Sequence, residues 1–402
     1  MKYFHLKLLL ALIIVISFGT VVHADEGETL PGKEISGKQL GLEKLPLPDK
    51  IQRFLYDSGL DFTYPDAVRG IYVTANSAAG DRMSELKELV GSTDLNAMVI
   101  DVKEDHGNIM LEPHNDKYKE MFEGRYKSVM DDPRAILEDL EERGIYPIAR
   151  VVVFKDNVLA EERPDLSFKR NGEVWTNGKG EAFVNPFEKE VWEYNAEVGK
   201  MAAELGFKEI QFDYVRFPEG FASRDDTLDY GKGEYDVEGV NDVQERVNAV
   251  TDFVEYARKS LRNYDVEVSV DIFGYSALVP EEPNIGQNFS KISSNVDVIS
   301  SMIYPSHWGP SFGLSKPDTQ PYKLIDEYAQ VENERLQTLE DPPTSRPWIQ
   351  DFEAPWLYSG ATKQYGKQEV EAQIRALNEN GIEEFLLWNA GNSYTKGVDY
   401  TP

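Results

Sequence analysis

The sequence predicts a (β/α)8 barrel, an α/β fold, on three observations. From Arg69 onward, eight short apolar or β-branched runs alternate with stretches of helical period. Most of those runs end in carboxylates, amides or aromatic rings. No G-x-G-x-x-G opens the first strand–helix turn, which argues against an open doubly wound sheet.

Taken in order, the chain opens with an export signal. Lys2 and Lys7 flank an apolar run over 8–18, and Val22-His23-Ala24 offers a cleavage site before Asp25. Residues 1–24 are therefore expected to be removed, the alternative being an uncleaved anchor over 6–24. Residues 25–47 hold Gly, Pro and charges without an apolar period and read as a flexible acidic linker. The barrel domain is expected over 48–402. A helix over 49–58 is expected just before the first strand, standing in for an eighth helix. After Asn389 only a short Gly-, Thr- and Tyr-rich stretch follows.

The predicted strands are 70–74, 97–101, 146–154, 209–213, 266–272, 297–304, 347–351 and 384–389. Between them lie helical patterns at 82–90, 133–144, 187–206, 242–262 and 367–381, several closing on the Gly or Asn that suits a left-handed cap. The loop 219–240 carries Asp225, Asp226, Asp229, Glu234 and Asp236, but not at the spacing of a calcium loop. It reads as a solvated acidic lid.

Composition bounds the partners. The 402 residues carry 42 Lys+Arg against 71 Asp+Glu, a formal charge of −29, and cleavage after Ala24 leaves the mature chain near −31. Such an acidic field repels nucleic acid and anionic lipid. There is no Cys, which removes disulfides, thiol catalysis and a lipoprotein anchor. Five His, two of them (His5 and His23) within the expected signal, give thin support to a metal-dependent deacetylase, so no metal and no cofactor is expected.

In a barrel the chemistry gathers at the C-terminal ends of the strands. Those ends hold Asp101 and Glu104, then Asp213 and Arg216, then Asp271 and Tyr275. Further on come Tyr304, His307 and Trp308, Asp351 and Glu353, and Trp388 and Asn389. Glycosidic cleavage requires one carboxylic acid to protonate the leaving oxygen and one carboxylate to attack or to activate water. Aromatic faces suit the C–H surfaces of sugar rings, and amides and carboxylates suit hydroxyls. Gln211 and Asp213 share one face of their strand, as do Ser269 and Asp271, and the barrel turns that face inward.

The segments FDYVRFP (212–218), RGIYVTA (69–75), VIDVKEDHG (99–107), ARVVVFKDNVLAEERPDL (149–166), DIFGYSA (271–277), SSMIYPSHW (300–308) and FLLWNAGNSY (385–394) resemble a family of bacterial exported proteins, the putative glycoside hydrolase domain family. The resemblance spans 67–394 and implies a barrel distantly similar to the α-amylase-type clan. That clan places an Asp nucleophile at strand four, a Glu acid/base at strand five and a stabilising Asp near strand seven. Asp213 matches the first position and Asp351 the third, while Asp271 stands where the clan has Glu. The clan's Arg two residues before the nucleophile is replaced by Gln211, with Arg216 nearby. The resemblance thus implies a secreted or envelope-associated glycoside hydrolase acting on a carbohydrate polymer. Asp213, Asp271 and Asp351 would be catalytic and the other strand-end residues substrate-binding. The alternative is a non-catalytic barrel that binds glycans at the envelope.

Overall fold

The computed structural model describes residues 55–357 and 363–402. Eight parallel strands form a closed ring: β1 (Arg69–Val73), β2 (Ala97–Lys103), β3 (Tyr146–Val152), β4 (Glu209–Asp213), β5 (Glu267–Phe273), β6 (Val298–Met302), β7 (Trp348–Gln350) and β8 (Phe385–Trp388). Each strand pairs with the next in sequence, and β8 closes on β1 with Arg69 opposite Phe385. Every residue of β2, β3 and β4 is buried, as expected of strands covered on both faces. That double burial is why these strands read as nearly unbroken apolar runs.

The crossovers carry helices α1 (Arg82–Gly91), α2 (Pro133–Glu142), α3 (Lys189–Leu205), α4 (Asp242–Leu261), α5 (Phe289–Ser293), α6 (Pro321–Leu336) and α7 (Lys367–Glu379). Local chemistry sets their ends. Asp132 caps α2 by accepting from the Ala135 N–H, with Pro133 in the first turn. Gly206 ends α3 at φ 119°, where its missing Cβ leaves room for Leu60. Between β2 and α2 the chain adds two short strands, Ile109–Leu111 and Tyr126–Met130, the first antiparallel to the end of β2.

Of the segment expected to be helical, 49–54 lies outside the described residues, as do the expected signal at 1–24 and linker at 25–47. Residues 55–58 are not helical, and Tyr56 instead forms a bridge with Tyr264. The gap between β8 and β1 is covered from the other side. In the coil 389–402, Tyr394, Val398 and Tyr400 are buried. The Tyr394 hydroxyl and the Asn392 amide both donate to the Tyr72 carbonyl of β1.

The barrel interior is polar at both ends. At the N-terminal end the buried Arg346 donates to both oxygens of Glu209 at 2.7 Å, to Glu384 at 2.7 Å and to the Tyr64 hydroxyl at 2.7 Å. Ser269 donates to the same Glu209. This knot fills the floor, leaving the opposite mouth as the open end. In the 219–240 loop Asp226, Asp229, Glu234 and Asp236 are exposed, as a solvated acidic segment requires, while Asp225 pairs with the buried Arg246 at 3.0 Å and Lys232 ties Asp242 and Glu245 at 2.8 Å. Both contacts fasten it to α4. Among the described residues no helix is long and apolar enough to cross a membrane.

Candidate active site

A cavity of about 420 Å³ opens at the C-terminal end of the strands. Its chemistry is organised by Arg150, which lies on β3 between the apolar Ile148 and Val152 and is buried. The guanidinium donates through Nε and Nη2 to Asp213 Oδ2 at 2.9 and 2.6 Å, through Nη1 to Asp101 Oδ1 at 2.7 Å, and through Nη2 to Asp105 Oδ1 at 2.8 Å. One cation is thus shared by carboxylates from β2, its following loop and β4. Arg150 is the register partner of Gln211, so the guanidinium expected beside the strand-four Asp comes from the neighbouring strand in the same layer.

Asp213 ends β4, and its Oδ1 accepts the Tyr214 backbone N–H at 2.6 Å. Tyr214 holds φ 52°, a left-handed conformation that costs a non-glycine residue about 1 kcal/mol or more. That turn aims the amide back at the carboxylate. The Tyr214 hydroxyl receives a hydrogen bond from Lys155 at 3.2 Å, and Lys155 also pairs with Asp105 at 3.2 Å and Glu181 at 2.9 Å.

Asp271 on β5 stands in a different environment. Its Oδ1 accepts the Trp348 indole N–H at 2.7 Å. Burial, reinforced by the Asp213 charge, pushes its carboxyl well above the ordinary carboxylate range, against the pull of Trp348 and Arg150. Asp101 is likewise pushed up by burial, to about 6, although Arg150 and the Tyr72 hydroxyl favour its ionised form. For Asp105 burial acts in the same sense, but Arg150 and Lys155 outweigh it and hold the group at about 2.

Rings complete the walls. Tyr72 stacks on Trp388 at 4.1 Å, and Trp348 meets Trp388 edge-on at 5.5 Å. At the β5 side Phe273 stacks with Tyr275, and Arg216 lies 4.6 Å from the Phe273 ring. Gly274 permits this wall, since a Cβ there would come within 3 Å of Ile303 and of the Met302 carbonyl. His307, hydrogen-bonded to Ser306 through Nδ1 at 3.0 Å, is pushed towards the neutral imidazole by burial.

The cavity therefore brings together Asp213, Asp271, Arg216, Tyr275, Tyr304, His307, Trp308 and Trp388 from the residues singled out in the sequence. Asp101 lies behind Arg150 and lines a smaller adjoining cleft of about 190 Å³ with Glu104. Glu104 is spent on its own turn, accepting from the His106 and Asn108 N–H groups. Three more of the expected residues lie outside the cavity. Asp351 does not line the cavity: its oxygens accept the Thr395 N–H at 2.9 Å and the Thr395 hydroxyl at 2.6 Å. Asn389 donates to the Asp351 and Ser393 carbonyls, bracing the same coil. Glu353 is exposed outside the cavity. Sequence reasoning missed Arg150, Asp105, Lys155, Tyr214 and Trp348. A charged residue inside the apolar run 146–154 was the available signal for the first of these.

The model of a family described as a putative glycosyl hydrolase domain matches residues 70–394. Comparison with curated proteins found no match. Among solved structures, a hypothetical protein from Ruminiclostridium thermocellum is 31% identical, covering 50% of this chain and 96% of that one at a TM-score of 0.43. The PgaB (BpsB) glycoside hydrolase domain from Bordetella bronchiseptica is 14% identical, covering 80% of this chain and 94% of that one at a TM-score of 0.56. At that identity the likeness shows a shared fold. The glycoside hydrolase domain of PelA from Pseudomonas aeruginosa is 12% identical, covering 84% and 98% at a TM-score of 0.44.

Proposed function

We propose, since this chain belongs to the putative glycosyl hydrolase domain family, that it hydrolyses O-glycosidic bonds of an extracellular or cell-wall polysaccharide through Asp213 and Asp271. The observation that carries this reading is the contrast between two carboxyl groups lining one cavity. Asp213 is salt-bridged to Arg150. Asp271 is buried against Trp348 and favours its protonated form. Glycoside hydrolysis uses such a pair, one group as acid and one as nucleophile or base.

In the cycle proposed, Asp271 gives its proton to the glycosidic oxygen as the bond to the anomeric carbon breaks. Asp213 attacks that carbon or takes a proton from the attacking water. Arg150 and the Tyr214 amide hold Asp213 in place without reorganisation during the step. Trp388 and Tyr304 line the cavity and offer rings to the sugar, with the buried Trp348 edge-on to Trp388. Residues 1–24 would direct the enzyme out of the cell, to the secreted or envelope location where such polymers lie. The acidic surface favours a neutral or cationic polymer over an anionic one.

The sharing of one guanidinium by three carboxylates also suits a structural knot, and that favours a glycan-binding barrel as second reading. Release of reducing ends from a panel of polysaccharides separates the two. Asp213→Asn keeps shape and removes charge, so turnover should fall by several powers of ten, on the order of 5 kcal/mol, while glycan binding persists. Activity near wild type in that variant would remove Asp213 from the mechanism. Binding without turnover by the unsubstituted chain would establish the second reading.

A further inference from the structure

An aromatic track leaves the cavity over the end of β7. Tyr304 and His307 line the cavity wall, and both meet Phe352 outside it, with centroids 6.1 and 6.2 Å away. Phe352 in turn stacks with Trp356, the planes only 16° apart and the centroids separated by 6.5 Å. Trp356 is 67% exposed, the most open of the large hydrophobic side chains among the described residues. The exposed Glu353 lies on the same turn.

A large ring left in water with a partner ring beneath it is costly to solvation and rigid, which is the profile of a binding platform. Its continuity with the cavity identifies the occupant. A ligand whose first unit sits against Tyr304 and His307 meets Phe352 and then Trp356 as it extends. Sugar rings match each station, since their C–H faces stack on indole and their hydroxyls donate to a carboxylate such as Glu353. The formal charge of −29 disfavours an anionic chain.

We infer that Trp356 forms a distal subsite, with Phe352 and Glu353 beside it, for a neutral or cationic glycan chain emerging from the cavity. The substrate is then a polymer several units long rather than a short oligosaccharide. This rests on the glycoside hydrolase reading for the turnover it affects, but not for the binding it asserts.

Native gels containing soluble chitosan, xylan, mixed-linkage β-glucan or galactan measure that binding, and reducing-end release from each polymer and its trisaccharide measures turnover. Trp356→Ala should weaken retardation by the polymer that slows the wild-type chain about tenfold or more. It should lower kcat/KM on that polymer more than on the trisaccharide, with Trp356→Phe recovering most of the loss. Met121→Ala, an exposed side chain on a separate short helix, should change neither. Full retardation of Trp356→Ala overturns the inference and leaves the hydrolase reading standing. Retardation that depends on Trp356 without any turnover supports the subsite and overturns the hydrolase reading. If none of the four polymers slows the wild-type chain, the track is not a glycan site and the inference falls.

Discussion

Replacing Arg150 with Met tests the centre of the site, because it keeps the stem and removes the charge. The guanidinium makes four hydrogen bonds to Asp101, Asp105 and Asp213. The Asp101 and Asp213 side chains are only 5% and 6% exposed, while Asp105 is 46% exposed and has Lys155 as a second partner. Asp101 and Asp213 therefore carry the cost. Stranding buried carboxylates by removing their partner costs about 3–5 kcal/mol, a large share of the roughly 5–15 kcal/mol that stabilises a domain.

The sign of the pH dependence follows from the same groups. In the unsubstituted protein Asp105, at about 2, lies below an unfolded Asp. Its contribution is present above about pH 4 and is lost as pH falls towards 2. Asp101, at about 6, lies above the unfolded value, so its contribution is present at low pH and lost as pH rises through 6. Without Arg150 the buried Asp101 loses its cation and shifts further upward, and Asp105, left with Lys155 alone, shifts upward less. The variant's deficit should then be largest at pH 8 and shrink towards pH 5. Urea unfolding followed by Trp fluorescence at those two pH values measures it. A deficit below about 1 kcal/mol at pH 8, or equal deficits at both, would refute the role assigned to Arg150.

Three further outcomes are expected. Asp271→Asn should lower kcat on unactivated glycans by about 10²–10⁴ and much less on substrates with good leaving groups; since burial raises this carboxyl, the wild-type rate should fall as pH rises through that elevated value, a limb the variant lacks. Asp351→Asn should cost about 1 kcal/mol in thermal unfolding through its bonds to Thr395 and leave kcat near wild type, and a thousandfold fall would restore Asp351 to the catalytic set. Gly107→Ala should destabilise by about 3 kcal/mol or more in urea melts, because at φ 102° its Cβ would come within 2.0 Å of Asp156 Oδ1 and disturb the buried Lys103–Asp156 pair. A stable Gly107→Ala protein would show that this loop yields.

All eight barrel strands were legible to within two residues at either end, because double burial writes a strand as an apolar run. Strand parity foretold which strand-end carboxylates face the barrel interior. Asp213 and Asp271 follow inward-facing Gln211 and Ser269, whereas Asp351 has the parity of Ile349, opposite to the inward Trp348 that reaches Asp271. Arg150 was hidden for another reason. Its relation to Asp213 exists only through cross-strand register, which a linear motif does not express. Glu104 and Asp105 are adjacent, and only the tight turn at 104–108 decides that the first caps it and the second meets Arg150. The short strands Ile109–Leu111 and Tyr126–Met130 lack the length to show a period.

The seam between β8 and β1 also governs how the molecule comes into being. β1 is made early, yet its Tyr72 carbonyl waits for Asn392 and Tyr394, partners 320 and 322 residues further along. A growing chain must hold β1 with an unpaired edge until β8 emerges, so ring closure waits until all eight strands have been made. During that interval the open edge is open to association with other chains, and slower synthesis at low temperature with chaperone support should raise the yield of closed barrel.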